Sequence, residues 1–599
     1  MPKGQKYTQT DEIPEINKDW ISATSTFNYL MKDPLIDWLK LYYRAKTDRN
    51  GTFTNHIMEQ GNVFEAEVMK LISKKFKVID IKGGDDPRSK IKIEETLAAM
   101  EKGVPIIHSG ILFNPHNQTF GIPDLLVRSD YINKLVKVPI EISSHGCKFS
   151  KSWHYLIVDI KFATLLLKAD GQHLLNAGCF PAYKSQLLIY NWALNIAQGF
   201  EPDQAYVLGR RWKYSANNVE YSNDTCFDKL AIIDYLNKDR EFVQMTVDAL
   251  TWLKEVHSPE AKDWDIYNYP LERTELYPNM CNNHDYPWHN IKEEIAKETK
   301  ELTSLWMVGP KNRLIALDND VSQWTDQDCS SQILGVNGLK TSKILSAILE
   351  VNHDEDKIII PEVLKSKLPK AKFEFFVDFE TNNGSIAEIN SLPNANVENM
   401  INMIGVGFIN KNAWQYKTFL VDRLTDEDEI DNGLQFAKFI NKFDNPKLYH
   451  WGSHERTLWS AFCIKNNIID NWDWVDLLQL FKNEPITIKD CLNFGLKSVA
   501  KAMFKHGLIE TTWADDNNGI TVMVKTYKAD ESAGKLGKNL IDIGVMKEII
   551  EYNKVDVRVL YEILTYLREN HLVKRTKRTK KTKRKVESIA KLSNKKRRV

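Results

Sequence analysis

Apolar and polar positions follow two α/β regimes along the chain, separated by a less regular stretch. Residues 20–260 alternate helical and strand periods. Residues 261–365 read mainly as helices and turns, with Asn, Asp and Pro gathered around Tyr277–Trp288. A second α/β block runs from Phe373 to about Leu567. After His571 apolar positions nearly vanish, so the tail is expected to be disordered. Two runs stand out: Tyr155-Leu-Ile-Val-Asp159-Ile-Lys161-Phe-Ala163 and Phe373-Glu-Phe-Phe-Val-Asp378-Phe-Glu380-Thr381. Each reads as an almost continuous apolar strand carrying two ionisable residues at i and i+2, which puts them on one face. Charges in such a setting are costly unless they are paired or hold a cation.

The pattern around each strand supplies further acids. Gly61-Asn-Val-Phe-Glu65 is expected to open a helix, with Glu65 on the stripe of Val68, Met69 and Ile72. Gly121-Ile-Pro-Asp124 precedes Leu125-Leu126-Val127, which places Asp124 at the mouth of a strand. Gln186 and Tyr190 fall one turn apart on the next helix. In the second block, strand-like runs Ile401–Phe408 and Trp414–Val421 lead to a helix over Asp426–Phe443. Then Leu448-Tyr-His-Trp-Gly-Ser-His-Glu455 turns from strand to helix. A long helix over Glu548–Leu567 carries Tyr552 and Asp556 one turn apart.

A chain of 599 residues exceeds what one core supports, so several domains are expected. Its composition, 43% apolar and 27% charged, is that of a globular protein. No apolar run is long enough for a transmembrane helix, and the polar stretch Met1–Lys18 does not read as a secretory signal. The seven cysteines are scattered without a C-x-x-C pair, which points to a reducing compartment. The net charge of +1 conceals an asymmetry, because Lys574–Arg598 holds 14 Lys/Arg against one acid, Glu587. The remainder has 67 basic and 79 acidic residues, a body of about −12 with a basic appendage. Gly338-Leu339-Lys340-Thr341 lacks the Gly-Lys pair of a phosphate loop, so no helicase motor is expected. Cys281, His284 and His289 are too few for a zinc site and read as a surface loop.

The ordered set Gly-x-x-x-Glu65, Gly-x-x-Asp124, Asp159-x-Lys161, Gln186-x-x-x-Tyr190 resembles the PD-(D/E)xK nucleases of the RecB family. So do Ser22-Ala-Thr-Ser with Tyr29-Leu and Pro34, and the stretch from Thr96 to Val127. The resemblance implies that Glu65, Asp124 and Asp159 hold metal, that Lys161 is the catalytic lysine, and that Gln186 and Tyr190 orient the lysine or the DNA. Hard divalent cations take carboxylate oxygens and generate hydroxide for phosphodiester hydrolysis. Several RecB-like nucleases place a Cys just before the early Pro and three more after the core, for an iron–sulphur cluster. Here the first position is Asp33 and no cysteine trio follows Tyr190, so no cluster is expected.

The second block resembles the DEDDy 3′–5′ exonucleases, and within the RNase H-like fold their YprB-like branch. The resemblance rests on Asp378-x-Glu380, Tyr449-His-x-Gly-x-x-Glu455, Gly495-Leu-Lys497 and Tyr552-x-x-x-Asp556. It implies that Asp378, Glu380, Glu455 and Asp556 bind two divalent ions, Mg²⁺ or Mn²⁺, and that Tyr552 orients the attacking water. Asp476 is the rival for the second acid, and otherwise reads as a structural Asp-Leu element.

The expected fold class is α/β: a restriction-endonuclease-like (PD-(D/E)xK) domain over 1–260, a helical connector over 261–365, an RNase H-like exonuclease domain over 366–570 and a disordered basic tail over 571–599. The expected function is metal-dependent hydrolysis of DNA, processing ends in repair, recombination or replication. The alternatives are an RNA exonuclease or a non-catalytic nucleic-acid-binding scaffold working with a separate helicase; no membrane is involved. The Lys574–Lys585 and Lys595–Arg598 clusters resemble a nuclear localisation signal, or else form a DNA-binding arm. An address of this kind points to a eukaryote or to a virus that infects one, and similar fused nucleases are predicted in giant DNA viruses.

Overall fold

The computed structural model describes residues 13–43, 52–143, 145–365, 368–383, 399–513 and 519–573; the basic tail lies outside them. In the first half the elements that matter are α1 (Thr52–Ser73), β1 (Val78–Asp80), β2 (Ile106–His108), β3 (Leu125–Arg128), β4 (Tyr155–Leu166), α2 (Phe180–Gln198), β5 (Gln204–Ala216), β6 (Val219–Asn223), β7 (Ala231–Asp234) and α3 (Glu241–Val256). They build a sheet of order β7-β5-β4-β3-β2-β1, with β6 folded back on β5. β4 pairs in parallel with β5 and antiparallel with β3.

The unbroken apolar run of β4 follows from burial on both faces. Tyr155 and Ile157 enter one core with the almost wholly buried α2, while Leu156, Val158 and Ile160 enter another with Phe64, Val68 and Met69 of α1. Asp159 and Lys161 continue the first alternation, so strand period directs them to the side of α2. The helix expected to open at Gly61 begins instead at Thr52 and leaves Gly61 in its interior. Its first turns have a partner in another element, since the His56 ring packs 5.6 Å from that of Tyr527.

The connector over 261–365 is not a separate body, and packing divides it. Ile266, Leu271, Leu276, Tyr277, Trp288, Ile291 and Ile295 join the core of the first half. Leu302 onward, including Ile344, Leu345 and Ile348 of α4 (Leu339–His353), joins a core with Phe481, Val559 and Ile563. The seam is polar: buried Arg313 pairs with Glu301 at 2.9 Å and donates to the Pro278 carbonyl at 2.7 Å.

A second buried network ties the first body together. Asp33 and Lys292, both fully buried, pair at 2.7 Å. Asp33 also accepts from Asn282 Nδ2 at 2.9 Å and the Asn279 N–H at 3.2 Å, while Lys292 donates to the Asn279 and Asn282 carbonyls. Lys292 lies 2.5 Å from Asp285 as well.

The second half contains β8 (Glu374–Asn383), β9 (Asn399–Asn410), β10 (Ala413–Leu420), α5 (Asp426–Ile440), β11 (Lys447–His450), α6 (His454–Lys465), β12 (Asp473–Asp476), α7 (Leu477–Asn483), α8 (Leu496–Lys505), α9 (Gly519–Leu536) and α10 (Val545–Asn570). The sheet order is β10-β9-β8-β11-β12; the first three strands are antiparallel and the last two parallel to β8. α5 starts where Thr425 caps the Asp428 N–H and four acids fill the first turn. Phe375, Val377 and Phe379 of β8 pack with Phe436 of α5 and Trp459 of α6. Phe376 packs on the other face with Val557, Leu560 and Leu564 of α10. The same alternation turns Asp378 and Glu380 toward α10. Among the described residues no helix is long and apolar enough to cross a membrane.

Candidate active sites

The face of β8 turned toward α10 carries the densest concentration of acid. Asp378, Glu380 and Asp556 present carboxylate oxygens all within 4.8 Å of one another, and no other group of metal-ligating residues this compact occurs among the described residues. Asn553, fully buried one turn before Asp556, binds the first two together. Its Nδ2 donates to Asp378 Oδ2 at 2.7 Å and to Glu380 Oε1 at 3.2 Å, while its Oδ1 accepts from the Tyr416 hydroxyl at 2.9 Å. Asn553 fits only because position 405 on β9 lacks a side chain: a Cβ there would stand 1.7 Å from its Oδ1. Trp513 Nε1 donates to Asp556 Oδ1 at 3.1 Å, and the Tyr552 hydroxyl hydrogen-bonds the same residue.

Electrostatically the cluster carries an excess of negative charge that Lys497 only partly offsets. Burial, then Asp556, Glu380 and Glu455, holds Asp378 well above the carboxylate range. Burial pushes Glu380 up to about 7, against the relief given by Asn553 and Lys497. Asp556 is raised by burial and by Glu380, with Lys497, Trp513 and Tyr552 opposing. Three desolvated carboxyls with raised affinities for a positive charge are the donor set that a hard divalent ion takes.

Glu455 and Asp476 occupy different places. Glu455 is buried, and its Oε2 is 3.5 Å from His450 Nδ1 with no hydrogen-bond partner among the described residues. Its charge is felt by both Asp378 and Glu380. Asp476 turns away to cap α7, accepting from the Gln479 N–H at 3.2 Å and the Gly452 N–H at 2.9 Å.

In the first body, Asp124 sits just ahead of β3 and its Oδ2 accepts the Ile160 N–H at 2.6 Å. Asp159 is fully buried; Lys161 Nζ lies 2.6 Å from its Oδ2, and its Oδ1 has no hydrogen-bond partner among the described residues. Asp124 is held well above the carboxylate range by burial and by Asp159, with Lys161 opposing. Burial disfavours the Lys161 ammonium, but Asp159 and Asp124 outweigh it and hold the amine above its ordinary value. Tyr190 is buried and accepts from Gln186 Nε2 at 2.7 Å, so these two engage each other. Tyr183, not singled out by sequence, lies under the Lys161 ammonium at 5.1 Å.

The structure brings Asp124, Asp159 and Lys161 together and leaves Glu65 at their edge. Glu65 raises Asp124 by its charge, but its carboxylate is 2.9 Å from His108 Nε2, and His108 Nδ1 reaches Asp80 at 3.0 Å. A cavity of about 440 Å³ opens beside it, lined by Glu65, Met69, Asp80 and His108 among others. His108 could not be found from sequence, because its role depends on β2 ending beside α1. Asn553 could have been: it is a polar residue on the stripe Ile549, Asn553, Val557, Leu560 of an amphipathic helix. Of the loop residues near Trp288, His284 Nε2 is 3.3 Å from Cys179 Sγ and His289 pairs with Asp285 at 2.7 Å.

The raised carboxyls predict a pH-dependent response to metal. Glu380 keeps its proton to about 7 in the fold and to 4.5 ordinarily. The metal-free fold therefore loses stability as pH rises from about 4.5 to about 7, where the unfolded chain ionises first. A divalent ion binds the ionised cluster, so the Mn²⁺-induced rise in Tm should be larger at pH 8 than at pH 6. An increment independent of pH would show that these carboxyls do not bind the ion.

Residues 376–568 match the family model of the RNase H superfamily. No curated protein matches the chain at a significant level.

Proposed function

We propose that the chain is a metal-dependent nuclease with two hydrolytic centres, starting from an RNase H-superfamily domain over residues 376–568, a nuclease-type domain whose substrate is nucleic acid. The centre in that domain is read as a DEDDy 3′–5′ exonuclease, and the one at Asp124, Asp159 and Lys161 as a RecB-like PD-(D/E)xK nuclease. The observation that carries the reading is the trio Asp378, Glu380 and Asp556, with carboxylates within 4.8 Å inside the matched segment. Bound there, Mg²⁺ or Mn²⁺ would polarise the phosphate and lower the pKa of a bound water. Glu455 is the nearest further acid. Tyr552 is held above its ordinary pKa by burial and by Asp556. It thus keeps its proton and orients the attacking water by hydrogen bonding rather than removing its proton. Lys161, held charged by Asp159 and Asp124, acts as a fixed cation toward the phosphate or its water. Gln186 and Tyr190 brace that site, and Glu65 is a ligand only if it turns from His108. DNA is taken as the substrate from the RecB-like resemblance, with RNA the alternative because the RNase H-like fold serves RNA as well. The first body is read as extending past residue 260 to about residue 300, because Ile291 and Ile295 join its core.

The test is degradation of end-labelled single- and double-stranded DNA and RNA with Mg²⁺ or Mn²⁺. Lys161→Ala should remove one component of cleavage, lowering it by about 10²-fold or more, while shortening from 3′ ends persists. Undiminished cleavage by a chain carrying both Lys161→Ala and Asp378→Asn would refute both sites.

A further inference from the structure

We propose that Lys497 is a further catalytic residue of the second centre, its ammonium holding a non-bridging oxygen of the phosphate under attack. This rests on the reading of Asp378, Glu380 and Asp556 as a hydrolytic site. Lys497 is the second residue of α8, and its Nζ lies 4.6 Å from the ring centroid of Tyr552 and 5.4 Å from that of Trp513. These are the two aromatic residues whose polar atoms reach Asp556. The ammonium therefore rests on the aromatic frame of the acid cluster, half-buried, and close enough for its charge to ease the ionisation of both Glu380 and Asp556.

Position decides what such a charge can do. The attacking water belongs at the Tyr552 hydroxyl, and the phosphorus must come within about 3–3.5 Å of that water in a productive complex. The phosphoryl oxygens then fall beside the same ring that Lys497 covers. A cation held there, half-buried against two rings, is already placed where charge develops. In the step, the water oxygen forms a bond to phosphorus and releases a proton to solvent. The bond from phosphorus to the 3′ oxygen of the penultimate nucleotide breaks, its electron pair stays on that oxygen, and a proton from solvent completes the new 3′ hydroxyl. The products are a nucleoside 5′-monophosphate and a chain one nucleotide shorter. Lys497 keeps its proton throughout and offsets negative charge on the phosphoryl oxygens.

The experiment uses the full chain carrying Lys161→Ala, so that only the second centre is read, with a 5′-labelled oligodeoxynucleotide. Lys497→Met should lower kcat by about 10²–10³-fold with a smaller change in KM, and Lys497→Arg should recover most of the loss. The variant should also lose at least about tenfold in inhibition by a nucleoside 5′-monophosphate, but nothing in inhibition by the uncharged nucleoside. Lys497→Gln repeats both readouts should the Met variant fold poorly, as judged by its melting. If the parent degrades 3′ ends and every Lys497 variant stays within threefold, the inference fails and the site reading stands. If saturating metal restores full turnover to Lys497→Met, Lys497 only tunes the carboxyls, and the inference is overturned. A parent chain without activity on any 3′ end overturns both.

Discussion

Asp378→Asn is expected to abolish shortening from 3′ ends by the second centre, by about 10³-fold or more. The substitution keeps shape and removes the charge most exposed to its neighbours, since Asp556, Glu380 and Glu455 all act on this carboxyl. A metal contributes several kcal/mol of transition-state stabilisation, and each 1.36 kcal/mol is about tenfold in rate, so losing a shared ligand accounts for that magnitude. Stability should move the opposite way. Asp378 is held above its ordinary pKa, so its ionised form opposes the metal-free fold at neutral pH, and the Asn variant should melt higher without metal. Thermal melting and end-labelled digestion of the same preparation check both. A variant that loses activity and melts lower has merely unfolded. Glu455→Gln should impair turnover, whereas Asp476→Asn, which weakens the cap of α7, should cost about 1 kcal/mol of stability and leave the chemistry within a few fold. The reverse ranking would make Asp476 the fourth acid.

Lys292→Met is expected to produce the largest loss of stability, about 3–5 kcal/mol, because it removes the ammonium from two buried carboxylates, Asp33 and Asp285. Asp33 would keep its bonds from Asn279 and Asn282 but lose its counter-charge. Burial already works to raise the Asp33 carboxyl, and without Lys292 nothing of comparable strength opposes it. A raised carboxyl destabilises the fold above its unfolded pKa, so the deficit should deepen from pH 5 to pH 8. Adding Asp33→Asn should recover much of it, since the amide needs no cation. Chemical denaturation of the single and double variants at the two pH values measures this. A double variant no more stable than Lys292→Met would show that the pair itself contributes little.

The two site-bearing strands were legible because charges at alternate places in an apolar run can hardly be anything but inward-facing. Asp159 with Lys161 and Asp378 with Glu380 announced both strand and face, and Tyr552 with Asp556 announced the helix laid across the second. The strands β8 to β11 could be read in order because each is bounded and followed by its turn or helix, whereas β12, four residues ending at Asp476, was not read as a strand. The division of the connector was not legible. Leu276, Trp288 and Ile295 on one side and Leu302, Ile344 and Ile348 on the other are equally apolar, and only tertiary packing decides which core each enters. Glu65 was expected on the apolar stripe, yet its side chain is about a third exposed and its carboxylate is directed by His108, a residue 43 positions away whose approach no local pattern encodes.

The Asp33–Lys292 pair also sets an order of events during synthesis. Its partners are 259 positions apart. At about 5–20 residues per second, roughly 13–50 s separate the addition of one from that of the other. Through that interval the Asp33 carboxyl has no Lys292 to pair with. The stretch from Asn279 to Lys292, which supplies its partners, is closely followed in sequence by Leu302 and Leu305 of the second core. The pair can therefore form only once that stretch is made, just ahead of the first residues of the second core.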